Sequence, residues 1–437
     1  MNIPKRIAQT LINSLKGGVV PRVGLPYITV GRKAEIDALL HDVEIIADGG
    51  ASFRFIMGKY GSGKSFLLQT IRNYVMAKNF VVLDADLSPE RRLQGTRGQG
   101  LATYKELIRN ISTKTRPEGG ALSLILDRWI GSIQQQVMAE ADLSVTDPRL
   151  PGLVEKRISQ VIYSLNEMVH GFDFSRLLTL YYKAYTAGDD ELKAKVLKWF
   201  RGEYGTKTEA KQDLGVNIII TDDDWYEYLK ILAAFLKQAG YAGMLILIDE
   251  LVNIYKIPHA ITRQYNYEKI LTMYNDTMQG KAQHLGIILC GTPQCMEDPR
   301  RGVYSYEALR SRLAEGHFAG EHKDLLSPVI RLQPLTPEEM LILVEKLADI
   351  HAGLYGYPQI LTSQDMADFI RIEFERIGAN THITPREIIR DFIEVLDIVF
   401  QNPDLKVREL LGSDQFTYAQ NAVAEESTDD QFAEFTL

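Results

Sequence analysis

Two short stretches of the chain carry residues whose types and spacing suit phosphate chemistry. The first, residues 58–65, is GKYGSGKS, which reads G-x-x-x-x-G-K-S, the spacing of a phosphate-cradling P-loop. Gly58, Gly61 and Gly63 let the backbone curl, so that successive N–H groups along Gly58, Lys59, Tyr60, Gly61, Ser62 and Gly63 face phosphate oxygens. A helix opening at Lys64, Ser65 and Phe66 adds its own N-terminal amides, which favour anions. Lys64 is expected to reach the β- and γ-phosphates, and the Ser65 hydroxyl to complete a Mg²⁺ shell. The second stretch, residues 243–250, is GMLILIDE, an apolar run ending in two carboxylates. Asp249 suits the Mg²⁺ water shell, and Glu250, one residue beyond it, suits a general base that polarises an attacking water.

Such chemistry needs both stretches at the same end of one sheet, and the expectation is that they sit on adjacent strands. FRFIM at 53–57 reads as a buried strand leading into the loop, and Phe66, Leu67, Leu68, Ile71, Tyr74 and Val75 follow at helical spacing. Residues 80–86, FVVLDAD, read as a second strand with acids at its C-terminal end, the end that faces the ligand crevice in an open α/β sheet. The run 243–248 is too continuously apolar to be half-exposed. Residues 285–290 form a further buried strand ending at the polar Thr292 and Gln294, and 329–332 a last one. The predicted fold class is α/β, a P-loop core on a parallel sheet over about residues 25–330.

About 140 residues separate the second strand from the third, far more than one crossover helix needs, and predict an inserted helical subdomain over about 101–241. Amphipathic repeats lie at 122–137, 153–169 and 225–236, with breakers at Pro117–Gly120, Asp147-Pro148 and Pro151-Gly152. Trp199, Phe200 and Tyr204 are expected in the core, because no alternating basic residues accompany them. Residues 1–24 read as a helix and a connector. A short strand at 27–30 then turns at Gly31-Arg32 into a helix bearing Ile36, Leu39, Leu40 and Val43. Thr336-Pro337 with Glu339 reads as a helix start, and helices at 340–355, 363–377 and 385–400 make a small lid over 331–402. The tail 403–437, acidic towards its end, is expected to be disordered.

Composition sets limits. The 437 residues suffice for two or three domains, and 45% hydrophobic with 24% charged residues is ordinary for a soluble globular protein. No apolar run approaches the ~18 residues of a membrane span, and two cysteines, Cys290 and Cys295, make neither a disulfide framework nor a zinc site. The cytoplasm is the expected compartment. A net charge of −8 gives no global footprint for nucleic acid, so any such contact needs a local patch. Arg91, Arg92 and Arg97, in the long loop 87–100, could contact a phosphate backbone or a partner, or pair with nearby carboxylates. Arg300, Arg301, Arg310 and Arg312 crowd one segment. Arg312 first, and Arg310 second, are candidates for a finger reaching a neighbouring subunit's γ-phosphate, unless the segment is a solvated basic face.

The ordered set VGRKAEI, GKYGSGKS, LILIDE, IILCGTP, LRSRL, RLQPLTPEE and TPREII, over about residues 26–400, resembles the AAA+ ATPases of the initiator and transposition-regulator branch. That resemblance implies that Gly31 and Arg32 lie in a loop packed against adenine, and that the loop 87–100 faces a ring pore. It also implies that Thr292, with Gln294 as fallback, senses the γ-phosphate, and that Arg386 touches the nucleotide from the lid. The stretches DADLSPERRLQGTRGQGLATYKELIRN, AGYAGMLILIDELVNIYKI and GTPQCMEDPRRGVYSYEALRSRL are similar, more specifically, to the BrxD family of ATP-binding proteins of BREX anti-phage systems. This implies ATP and Mg²⁺ as ligands and other defence proteins as partners. The expectation is a Mg²⁺-dependent ATPase, homo-oligomeric through arginine-finger contacts, that drives remodelling or loading on DNA, with no membrane contact. The alternative is a nucleotide-state switch that recruits partners with little turnover. A small-molecule kinase is disfavoured, because Asp249-Glu250 suits water activation.

Overall fold

The structure, a computed structural model, describes residues 3–314, 324–376, 384–402 and 404–405. The chain divides into two units, residues 32–333 and the combination of 1–31 with 334–437.

In the larger unit five strands form one parallel sheet: β1 (Ala51–Met57), β2 (Val81–Asp86), β3 (Met244–Asp249), β4 (Leu285–Gly291) and β5 (Val329–Arg331), in the order β2-β3-β4-β1-β5. All five are the strands expected of this unit, and the class is α/β. The chain leaves β1 for β2 at one edge and leaves β4 for β5 at the other, so the crevice for a ligand opens beyond the C-terminal end of β1.

Both faces of the sheet are buried, which is why its strands read as continuous apolar runs. On one face Ile56, Val82, Leu245, Leu247, Ile288 and Ile330 pack against two helices, Lys33–Ala47 and Lys64–Ala77. On the other, Phe53, Phe55, Leu83, Ile246, Ile287 and Leu289 share one hydrophobic cluster with Trp129, Trp199, Trp225 and Phe235 of the region between β2 and β3. The hydrophobic core of that region is thus continuous with the second face of the sheet. Trp199, Phe200 and Tyr204 are buried within it, and the Trp199 indole N–H donates to the Ile218 carbonyl at 2.9 Å. The helix expected over 153–169 runs Leu150–Tyr163 and stops. Successive tight turns follow, and Gly171 passes so close to the Leu165 carbonyl that a Cβ would lie 1.8 Å from it.

One charge pair is sealed between β1 and the helix Lys33–Ala47. Arg54, 7% exposed, grips Asp42, 6% exposed, through two bonds of 2.6 and 2.7 Å. Its remaining donors reach the Leu326 and Ser327 carbonyls ahead of β5, at 2.8 and 2.5 Å. One guanidinium thus fastens β1 to a helix and to the segment leading into its neighbouring strand.

In the smaller unit the helix Lys5–Lys16 packs on Pro337–Tyr355 and Pro385–Gln401. Both of the latter open with complete capping boxes, Thr336 with Glu339 and Thr384 with Glu387. Asp397 accepts from Lys16 at 2.5 Å and meets the fully buried His351 at 3.1 Å. Residues 27–30, expected as a strand, instead belong in part to a helical turn, Leu25–Ile28. Pro26 in its first turn, the left-handed Gly24 before it (φ 81°), and the burial of Leu25 and Ile28 at i, i+3 spacing override the β-preference of Tyr, Ile, Thr and Val. Of the acidic tail from residue 403, all but Asp404 and Leu405 lies outside the described residues.

Asp42→Ala leaves the Arg54 guanidinium buried without its counter-charge. The expected loss in a urea titration is about 3–5 kcal/mol; an unchanged midpoint would show that the pair does not fasten β1.

Candidate active site

The run GKYGSGKS begins where β1 ends. Strand pairing carries into its first residue, for the Gly58 amide donates to the Gly291 carbonyl at the tip of β4, at 3.1 Å. The loop then turns through Gly61 (φ 76°) and Gly63 (φ 91°), backbone conformations that L side chains resist. Gly58 is required for closeness, since a Cβ there would lie 2.3 Å from Ser62 Oγ. The Lys64 ammonium folds back over the loop and donates to the Gly58 and Lys59 carbonyls at 2.9 and 3.1 Å. Behind the loop, the buried Arg32 donates to the Ser62 carbonyl at 2.9 Å.

The acids at the end of β3 come to the same place by a route other than the expected one. β1 and β3 are not adjacent, because β4 lies between them. Local sequence reveals strands but not their lateral order, and the acids meet instead the helix that leaves the loop. Ser65 Oγ donates to Asp249 Oδ2 at 2.8 Å. Glu250 follows with a left-handed backbone (φ 61°), its amide donating to Asp249 Oδ1 at 2.8 Å and its side chain exposed. That conformation is uncommon for a residue with a side chain, and such strain concentrates at functional sites.

A third acid was not assigned to the site from sequence. Asp86, last residue of β2, pairs in register with Asp249 and is on the same side of the sheet. Surrounding protein, and then the negative charges of Asp249, Glu250 and Asp84, push its carboxyl above the usual range. Alternation along VVLDAD was the available signal, since it puts Asp84 and Asp86 on one face. Asp84 is taken up by the buried Arg72 of the P-loop helix at 3.3 Å.

The cradle fits a phosphate chain on its own features. Among the described residues, the backbone amides of Gly61, Gly63, Lys64 and Ser65 find no protein acceptor. The enclosed hydroxyls of Ser62 and Thr292 also have no partner. A hydroxyl beside a carboxylate is the hard-oxygen pair that Mg²⁺ takes alongside water and nucleotide phosphates.

A family model described as BREX system ATP-binding protein BrxC/D matches residues 3–415. The chain belongs to that family. No curated protein matches it. The family gives the chain an ATP-binding role in a phage-defence system, and does not separate BrxD from BrxC.

Thr292 directly follows Gly291 and so lies beside Gly58, whereas Gln294 is exposed. Arg310 and Arg312 are exposed on the helix Glu307–Leu313. Arg310 pairs with Glu307 at 2.6 Å, and Arg312 donates to the Ala308 carbonyl at 2.6 Å, so both are bonded within their own helix. Tyr60 is exposed at the loop's crest, and Phe66 is half-buried.

The loop 87–98 is tightly held. Asn266 accepts from the Leu93 and Gln94 amides, at 2.9 and 3.0 Å, and Asp222 from the Gly98 and Leu101 amides, both at 2.7 Å. Arg91 and Arg92 donate to the Asp86 and Pro89 carbonyls, at 2.8 and 3.0 Å, rather than forming salt bridges, and Arg97 is exposed. Gly31 and Arg386 belong to the smaller unit. There Gly31 (φ 67°) abuts the Glu339 carboxylate, and Arg386 sits in the first turn of Pro385–Gln401.

Gly63→Ala strains a left-handed residue of the loop. A fluorescent ATP analogue is expected to bind at least about tenfold more weakly, while the unfolding free energy falls by only the about 1–2 kcal/mol that such strain costs. Unaltered affinity would place the phosphates elsewhere.

Proposed function

We propose that the protein hydrolyses ATP at this cleft and that the cycle drives remodelling or loading on DNA within the BREX system, in the manner the BrxD-type stretches imply. The observation that carries the reading is the 2.8 Å contact between Ser65 and Asp249, with Glu250 next in the chain. It gathers phosphate cradle, metal-binding oxygens and a candidate base from segments remote in sequence.

In this reading the amides of Gly61, Gly63, Lys64, Ser65 and Phe66 hold the phosphates. Lys64 exchanges its two backbone carbonyls for phosphate oxygens. Ser65 and Asp249 would hold Mg²⁺, which would supply charge neutralisation for the phosphates. Glu250 takes a proton from water as the water oxygen attacks the γ-phosphorus and ADP leaves. Thr292 orients the γ-phosphate with its otherwise unpartnered hydroxyl. Asp86, its carboxyl pushed above the usual range by burial and then by the neighbouring carboxylates, lines the site beside Asp249. Arg312, or Arg310 beside it, lies exposed and is free to exchange its own-helix contact for a neighbouring subunit's nucleotide. By the same resemblance Arg386 touches the nucleotide, and Arg97 makes a contact to DNA or a partner. Among the described residues no helix is long and apolar enough to cross a membrane, and the cytoplasm is the proposed compartment.

Glu250→Gln should keep ATP affinity and lose turnover by about 100-fold or more. Turnover at the wild-type rate would remove Glu250 from the mechanism. Rates measured with single-stranded and duplex DNA test the coupling, and a rate that neither alters would favour a nucleotide-state switch.

Lys64→Ala and Arg312→Ala proteins, each inactive alone, should regain part of the activity when mixed, since some interfaces then combine an intact cradle with an intact arginine. No recovery at any mixing ratio would argue against a finger in trans.

A further inference from the structure

Arg32 is expected at an adenine-facing loop, but its side chain is 6% exposed and turned beneath the P-loop. One terminal nitrogen, Nη2, donates to two carbonyl oxygens, Ser62 in the loop at 2.9 Å and Gln333 just past β5 at 2.7 Å. The other, Nη1, faces Glu35, 2% exposed, at 4.0 Å. The larger unit begins at Arg32 and ends at Gln333, so its two ends meet on one guanidinium at the base of the loop.

The consequence follows from peptide geometry. In a trans peptide the C=O of one residue and the N–H of the next point in opposite directions, and no cis peptide occurs among the described residues. A Ser62 carbonyl held against Arg32 therefore turns the Gly63 N–H the other way. The Gly63 amide has no protein acceptor among the described residues. Because Gly63 has unusually free torsions, its peptide needs an external hold to keep one orientation.

We infer that Arg32 is a positioning residue for phosphate binding, fixing the Ser62–Gly63 peptide so that the Gly63 amide faces the phosphates before they arrive. The inference rests on the reading of residues 58–65 as the nucleotide cradle. Arginine suits the task better than lysine. Its planar fork serves the two carbonyls while a second nitrogen faces the carboxylate, and it stays charged when buried. Without it the Ser62 peptide can rotate, and one cradle donor is lost from the ready state.

The test is ATP binding by Arg32→Ala, measured at a temperature where circular dichroism shows the variant folded. Affinity should fall by about tenfold, the effect of one preorganised hydrogen bond. Millimolar guanidinium ion should restore most of it in the variant and change nothing in the wild type. A merely structural role would lower the melting temperature and leave the affinity of the folded protein intact. Arg32→Ala binding as tightly as wild type, or weak binding that guanidinium does not restore, overturns the inference. Should Arg32→Ala not fold, Arg32→Lys serves instead, with intermediate affinity expected and wild-type affinity contradicting. Wild-type protein that binds no ATP overturns the cradle reading and this inference together; wild-type binding with unaffected variants overturns this inference alone.

Discussion

A hydrogen bond of 2.8 Å between the Ser65 hydroxyl and the Asp249 carboxylate joins segments 184 residues apart, and the candidate site exists only while it can form. Parallel pairing makes it possible. β1 and β3 both run alongside β4, so their C-terminal ends come level although the strands never touch. The crossover Gly58 to Gly291 bond carries that alignment one residue past the strands, into the loop. The requirement for two distant chain segments at one sheet edge explains why so much apolar surface is given to both faces of the sheet.

The site combines strained and fixed parts. Gly61, Gly63 and Glu250 all hold left-handed backbone. Such conformations persist only when their surroundings over-determine them. Here the surroundings are buried ions: Arg54 ties β1 to its helix and to the approach to β5, Arg72 ties the P-loop helix to β2, and Arg32 holds the loop itself. Each guanidinium reaches two or more segments, something no apolar side chain can do. Removing one partner would therefore loosen geometry at a distance as well as lower stability.

Much of this was legible in the sequence because it is local. The spacing of Gly58, Gly63, Lys64 and Ser65 specifies a loop entering a helix, and burial on both faces forces the strands to read as unbroken apolar runs. Thr336, followed by proline and a glutamate three residues on, announced a capping box that the structure contains. What escaped was lateral or long-range. Nothing within GMLILIDE states that β4 intervenes between it and β1. Arg32 carries no mark of facing inward, since a residue two places after a strand-like YITV looks exposed. That YITV segment failed for the same reason, because burial of Leu25 and Ile28 decides its shape. The helices between β2 and β3 were visible, but the single hydrophobic cluster they share with the sheet brings together residues remote in sequence.

The most direct test of the central claim is a crystal structure of the protein grown with Mg²⁺ and a non-hydrolysable ATP analogue. The account expects the triphosphate against the amides of Gly61 to Ser65, with the metal ion between Ser65 Oγ and the Asp249 carboxylate in place of their mutual hydrogen bond. A nucleotide bound elsewhere, with the Ser65–Asp249 contact intact, would contradict it.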